Sequence, residues 1–263
     1  MDSPKFSIVT VSFNTYDIIE ATIRSVIGQD YRNIEYIIID GGSTDNTQEI
    51  IEQYREHISY FVSEPDGGIF FGMNKGIDAA TGDWLLFMNA GDVFSDSRVV
   101  SDIASFIAGH PESDVVFGNS KQVFEYGEFE VKPNVTNLNS RMSISHQASF
   151  VKVEMLRLHK FDTRYRWAAD FEQLSFFYLN GYKFRYCDRL VATVEMNDGA
   201  TYNHFVESAN ELYDIIESRG VDVSRERKSQ IRRKKLVRAF RNCVPPFLRK
   251  PVFRFIAKHY KAL

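Results

Sequence analysis

Two apolar runs in the first hundred residues each end on an aspartate. Asp92 closes Asn89-Ala90-Gly91-Asp92, directly after Trp84-Leu85-Leu86-Phe87-Met88. Asp40 follows Tyr36-Ile37-Ile38-Ile39 and opens the turn Gly41-Gly42-Ser43-Thr44-Asp45. Short apolar runs bounded by turn residues read as buried strands. A carboxylate at the carboxyl end of such a strand lies where open α/β sheets bind ligands. Because carboxylate oxygens suit hard divalent cations, Asp92 points to a metal holding a phosphorylated ligand. Capping of the next turn is the equally weighted alternative. Asp40 can accept hydrogen bonds from a base or ribose, and paired glycines permit close backbone approach. Two common nucleotide signatures are missing: no Gly-x-Gly-x-x-Gly follows the first strand, and no phosphate loop of the Gly-x-x-x-x-Gly-Lys-Ser/Thr type occurs. Asp170 opens a later helical stretch, where the helix dipole alone favours a carboxylate. His146 stands alone before an apolar run, and such a histidine is more often packed than catalytic.

The elements that must carry these groups alternate as strand and helix. Residues 6–13, 36–39, 58–62 and 84–88 read as strands. Helical spacing occupies 17–29, a stretch after Thr44 or Asp45 carrying Ile50, Ile51 and Tyr54, and 73–80. This alternation predicts a mainly parallel sheet covered on both faces. Farther on, 115–118 reads as a short strand and 122–132 as a hairpin around Gly127. Residues 157–181 read as helical in two pieces, the second running from 169 to a stop at Gly181. Residues 182–195 return to strand character, and 202–219 form one amphipathic helix with Phe205, Ala209, Leu212 and Ile216 on a face.

A chain of 263 residues can bury a sizeable core in one large domain or in one domain with an appendage. Its net charge of −3 conceals an asymmetry: residues 224–263 carry fourteen Lys/Arg against one acid, Glu226, leaving −16 on the first 223 residues. The basic stretch interleaves cations with Leu236, Val237, Phe240, Phe247, Leu248, Val252, Phe253 and Phe255, and Pro245, Pro246 and Pro251 divide it. Basic amphipathic pieces with aromatics suit an anionic membrane surface; a solvated helix, an oligomer contact and nucleic acid are the competing readings. No apolar run reaches bilayer length, and the N-terminus lacks the pattern of a signal peptide. Cys187 and Cys243 match no metal spacing, which points to a reducing cytosol.

Taken jointly and in order, several segments resemble the family 2 glycosyltransferases of GT-A fold. They are Val11-Ser12-Phe13-Asn14, Asp40 to Asp45, Ser63-Glu64-Pro65-Asp66, Met73-Asn74-Lys75-Gly76 and Asn89 to Asp92, then Ile144 to Ala148 and Ala169 to Glu172. The resemblance covers residues 5–195 and implies a nucleotide-sugar donor, often UDP-linked, used to build bacterial surface polysaccharide or glycolipid. By position it implies Asp40 at the uracil or ribose end, Asp66 near the nucleotide, Lys75 on the donor-facing segment and Asn89 in the donor turn. It further implies Asp92 on a divalent cation, Mg²⁺ or Mn²⁺, that bridges the diphosphate. Asp170 matches the carboxylate that deprotonates the acceptor, and His146 matches a position near acceptor or diphosphate. Where many relatives carry Asp-x-Asp or Asp-Asp, this turn has Asn89 and Gly91, leaving Asp92 as its one carboxylate. Glu172 is expected on another face of its helix, and Trp167 is expected either to stack on a sugar or to pack in the core.

The expectation is therefore an α/β, GT-A (Rossmann-like) fold with a C-terminal helical basic extension. Residues 1–220 would form the transferase domain, with 1–100 holding the nucleotide-sugar and 101–220 the acceptor and catalytic groups. Residues 221–263 would associate with the inner face of the cell membrane. The activity would be an inverting, metal-assisted transfer to a hydroxyl of a lipid-linked or growing glycan, with no nucleic-acid partner. Two alternatives stand beside it. A sugar-phosphate nucleotidyltransferase should carry a Gly-rich basic N-terminal loop, absent from 9–15. A catalytically degenerate relative would bind nucleotide or partners as a scaffold.

Overall fold

The computed structural model describes residues 3–196, 204–245, 248 and 251–253. Its first half is a parallel sheet, with β1 (Phe6–Ser12), β2 (Ile34–Asp40), β3 (Tyr60–Ser63) and β4 (Trp84–Phe87) lying in the order β3-β2-β1-β4. All seven residues of β1 are buried. The reason is the period of two: Phe6 and Ile8 enter one core with Ile38 and Leu86, while Val9 and Val11 enter a second with Ile37, Ile39, Leu85 and Phe87. Helices α1 (Ile19–Ile27), α2 (Thr47–Gln53) and α4 (Val99–Gly109) supply the first core, and α3 (Ile69–Ala79), α5 (Val153–Leu158) and α6 (Ala169–Leu179) supply the second.

The second half extends this sheet. β8 (Ser149–Lys152) pairs antiparallel with β4 and with β6 (Val115–Phe124), and β6 pairs in parallel with the long β9 (Phe184–Glu195). β5 (Val93–Phe94) closes one edge against β9, and β7 (Gly127–Val131) completes the hairpin with β6. Parallel ladders hold most of the paired residues, in keeping with the expected sheet. α7 (Phe205–Ser218) and the twenty-residue α8 (Ser224–Cys243) follow, with a turn between them at Gly220, whose φ is +80°.

Several boundaries differ from the sequence reading, each for a local reason. α3 starts at Ile69, four residues early, because Gly68 at φ +124° turns the chain into the helix. The first of the two helical pieces expected in 157–181 lies instead at Val153–Leu158, and 159–168 is non-helical apart from turns and bends. In that stretch Asn74 Nδ2 donates to the Phe161 carbonyl and Asn74 Oδ1 accepts the Phe161 N–H, at 2.9 and 3.0 Å, so tertiary bonds replace helical ones. Neither α4 nor β8 was anticipated. Residues 202 and 203 and most of the stretch beyond 245 lie outside the described residues.

Candidate active site

Ser12, Asp40 and Ser63 are register partners across β1, β2 and β3. They stand in one row at the carboxyl ends of these strands. Asp40 is wholly buried, and its carboxylate accepts four hydrogen bonds: from Ser12 Oγ (2.9 Å), Ser63 Oγ (2.6 Å), Ser43 N–H (2.8 Å) and Ser43 Oγ (2.5 Å). Direct contact with a base or ribose would therefore displace one of these donors. The loops after β1 and β2 are stitched together around it. Asn14, at φ +51°, accepts the Thr44 N–H through Oδ1 and donates its own N–H to Ser43 Oγ. The expected cap at Thr44 or Asp45 falls instead on Asn46, which makes no side-chain cap bond, while Asp45 accepts the Thr47 N–H at 3.0 Å just ahead of α2. Gly42, at φ +80°, would place a side chain 2.9 Å from the Pro65 nitrogen. A Cβ on Gly41 would sit 3.3 Å from the Asp66 carboxylate, so Asp66 closes over this loop while accepting the Gly68 N–H at 2.8 Å. Lys75 is committed elsewhere: its ammonium pairs with Glu64 at 2.8 Å.

One strand over, the turn at 89–92 is tied to the same edge. The Ala90 N–H donates to the Val11 carbonyl at 3.1 Å, next to Ser12. Gly91, at φ +98°, donates its N–H to Thr22 Oγ1, which in turn donates to the Asp92 carbonyl. The Asp92 side chain is buried and accepts from Gln147 Nε2 at 3.1 Å. Burial pushes its carboxyl up to about 7, against the pull of His146 when that ring is protonated and the donors from Gln147 and the Glu195 main chain.

His146 joins this turn to α6. Its Nδ1 lies 3.2 Å from Asp170 Oδ2, and its Nε2 lies 3.4 Å from Asn89 Nδ2. With the Asn89 amide donating to Nε2, the imidazole carries its proton on Nδ1 and gives it to Asp170, a tautomer assigned from this network. The other Asp170 oxygen accepts the Phe171 N–H at 2.8 Å. Asn89 Oδ1 is buried without a donor. Among the described residues no group of three or more His, Cys, Asp or Glu could hold an ion. The turn therefore offers two hard oxygens, from Asp92 and Asn89. These suit Mg²⁺ or Mn²⁺ where phosphates complete the coordination.

The structure thus joins Asn89, Asp92, His146 and Asp170, and sets Asp66 against Gly41, the residue after Asp40. Lys75 contacts neither group. Glu172 pairs with His159 at 3.0 Å, on another face as expected. Trp167 stacks on His204 with ring centroids 4.0 Å apart, so one of its faces is taken by a side chain. Gln147 was missed, although it is adjacent to His146 and polar; nothing in its sequence position marks it as the Asp92 donor.

A parallel sheet with acidic groups along its carboxyl edge and a His–Asp pair beyond is an α/β arrangement of the GT-A type. A family model described as Glycosyl transferase family 2 matches residues 7–168, and the chain belongs to that family; it is a glycosyltransferase. The PGL/p-HBAD biosynthesis glycosyltransferase of Mycobacterium bovis is 31% identical over 180 residues, covering 65% of this chain and 69% of its own. The fold is shared with S. aureus TarS 1–349 in complex with UDP, at TM-score 0.65 and 23% identity over 93% of this chain and 76% of that one. This chain spans 43% of the longer TarS chain. It is also shared with the mannosyltransferase PcManGT from Pyrobaculum calidifontis in complex with GDP-Man and Mn²⁺, at TM-score 0.65 and 18% identity over 83% of this chain and 65% of that one.

Proposed function

We propose that this glycosyltransferase uses a UDP-sugar, inverts the anomeric centre, and builds a lipid-linked or growing surface glycan with Asp170 as the base. The observation that carries this reading is the Asp170–His146–Asn89 chain beside the 89–92 turn. Asp170 takes the proton of the acceptor hydroxyl, whose oxygen bonds to the anomeric carbon as the bond to the β-phosphate oxygen breaks and UDP leaves. A single displacement needs its base within hydrogen-bond reach of the nucleophile and opposite the leaving group. His146 holds the Asp170 carboxylate in one orientation through its Nδ1–H. Asp40 and Asp66 serve the nucleoside end, with a Ser12 or Ser63 hydroxyl yielding its place on Asp40 to the ligand. Lys75 stands on the donor side once Glu64 releases it.

Asp92 and Asn89 Oδ1 would hold a divalent cation, which supplies charge neutralisation on the departing diphosphate. With one carboxylate in the turn, these two residues would hold the cation only together with the donor phosphates.

Residues 1–220 act as the transferase domain, and the basic segment from 221 docks it on the inner, cytoplasmic face of a membrane. Supporting this, α7 and α8 flank a groove of about 700 Å³ whose wall includes Lys228, Arg232 and Lys235. Among the described residues no helix is long and apolar enough to cross a membrane.

The test is UDP release from a panel of UDP-sugars incubated with a bacterial membrane extract. The wild type should release UDP, and Asp170→Asn should lower the rate by about 10²–10⁴-fold, the usual worth of a general base. Equal rates would remove the base assignment. Silence of both proteins would favour a nucleotide-binding scaffold instead.

A further inference from the structure

α6 begins behind Ala168, a residue whose side chain cannot cap a helix. Nevertheless the main chain that enters the helix is held firmly, by a residue 43 positions downstream. Glu211 on α7 accepts the Arg166 N–H through Oε1 at 3.0 Å, and through Oε2 it accepts the Trp167 N–H at 2.7 Å and the Ala168 N–H at 3.0 Å. One carboxylate gathers three consecutive amides, and Asp170 is the second residue past the last of them. The same helix adds other contacts to this stretch. The His204 ring preceding α7 stacks on Trp167, and Tyr213, Ile215 and Ile216 pack with Ala168 and Phe171. Other acids of α7 are used differently: Asp214 and Glu217 both pair with Arg227 of α8.

We propose that Glu211 is a positioning residue for Asp170, its carboxylate clamping the 166–168 main chain so that α6 starts, and the base stands, at one place. This rests on the reading of Asp170 as the base. Three physical facts support it. Hydrogen bonds from amides to an ionised carboxylate are about twice as strong as neutral ones. A negative charge beside the first turn also complements the helix dipole. Neither Trp167 nor Ala168 carries a side chain able to accept those N–H bonds, so loss of Glu211 leaves the entry to α6 without an acceptor. Asp170 keeps its bond to His146, but the backbone that carries it is then free to shift. A misplacement of about 1 Å can cost on the order of 10²-fold in rate.

The experiment compares full-length wild type, Glu211→Ala, Glu211→Gln and Asp170→Asn. Four readouts are taken well below each melting temperature and normalised to folded protein: UDP release with membrane extract, donor KM, the thermal shift caused by UDP, and hydrogen exchange at the 166–168 amides. For Glu211→Ala we expect exchange to quicken at 166–168 and kcat to fall by about 10–100-fold, with donor KM and the UDP shift unchanged. Glu211→Gln keeps an oxygen acceptor without the charge, so its kcat should recover to between those of wild type and the alanine variant. If Glu211→Ala turns over like wild type while Asp170→Asn is silent, the clamp is structural only and the proposal is overturned. A fall that appears only in donor KM or in the UDP shift overturns it as well. If Asp170→Asn is as active as wild type, or wild type releases no UDP, the base reading fails and takes the proposal with it.

Discussion

At the scale of single residues, burial and charge oppose each other at Asp92, and burial wins, lifting its carboxyl to about 7. A carboxyl with a folded pKa above its unfolded one stabilises the fold fully at pH below about 4 and loses that contribution as pH rises through 7. At about 1.4 kcal/mol per pH unit, the span sets a ceiling near 4 kcal/mol. Wild type, without nucleotide or added cation, should therefore melt at progressively lower temperature from pH 5 to pH 8. Asp92→Asn removes this titration and should show a distinctly flatter curve over that range. Parallel curves for the two proteins would mean that Asp92 ionises freely in the folded chain. Asp40 is a contrasting case. Its oxygens are already filled by Ser12, Ser43 and Ser63, so it shapes the loop whether or not a ligand is present.

At the scale of elements, α3 lies so close to β1 that a Cβ on Gly76 would come within 2.4 Å of Val9 Cγ1. Gly76→Ala should destabilise the protein by about 1–3 kcal/mol through overpacking, despite alanine's better helix propensity. Gly109, the last residue of α4, meets nothing within 4 Å of an added Cβ. Gly109→Ala should leave stability unchanged or raise it slightly, by up to about 1 kcal/mol. Urea titrations of both variants check the pair, and equal destabilisation would show that packing on β1 is not the cause. The same closeness recurs one turn earlier in α3, where a Cβ added to Gly72 would come within 2.8 Å of Val11 Cγ1.

At the scale of the whole molecule, the acidic body and the basic C-terminal segment meet through α7 and α8. Arg227 is neutralised by Asp214 and Glu217, and Lys234 lies 5.5 Å over the Phe205 ring, where burial lowers its pKa. Those two cations join the helices, while Lys228, Arg232 and Lys235 are exposed. Leu236 and Phe240 are exposed on the same helix. Reversing Lys228, Arg232 and Lys235 to Glu should abolish co-sedimentation with liposomes rich in anionic lipid, since each cation is worth about 1 kcal/mol at such a surface. The melting temperature should stay put because none of the three joins the helices. Undiminished pelleting would sink the membrane reading.

Sequence by itself determined much of this protein. Alternating apolar and polar runs gave the parallel half of the sheet, because strands buried on both faces must be apolar throughout. The ordered motifs gave the family and named Asp40, Asp66, Asn89, Asp92, His146 and Asp170. Tertiary structure decided what these residues do to one another. That His146 links Asp170 to Asn89, that Gln147 holds Asp92, that Lys75 is paired with Glu64, and that Glu211 braces the entry to α6 all depend on side chains 11 to 57 positions apart. Such contacts leave no periodicity in the chain. They arise only when strands and helices fold together and each buried polar group must find its partner.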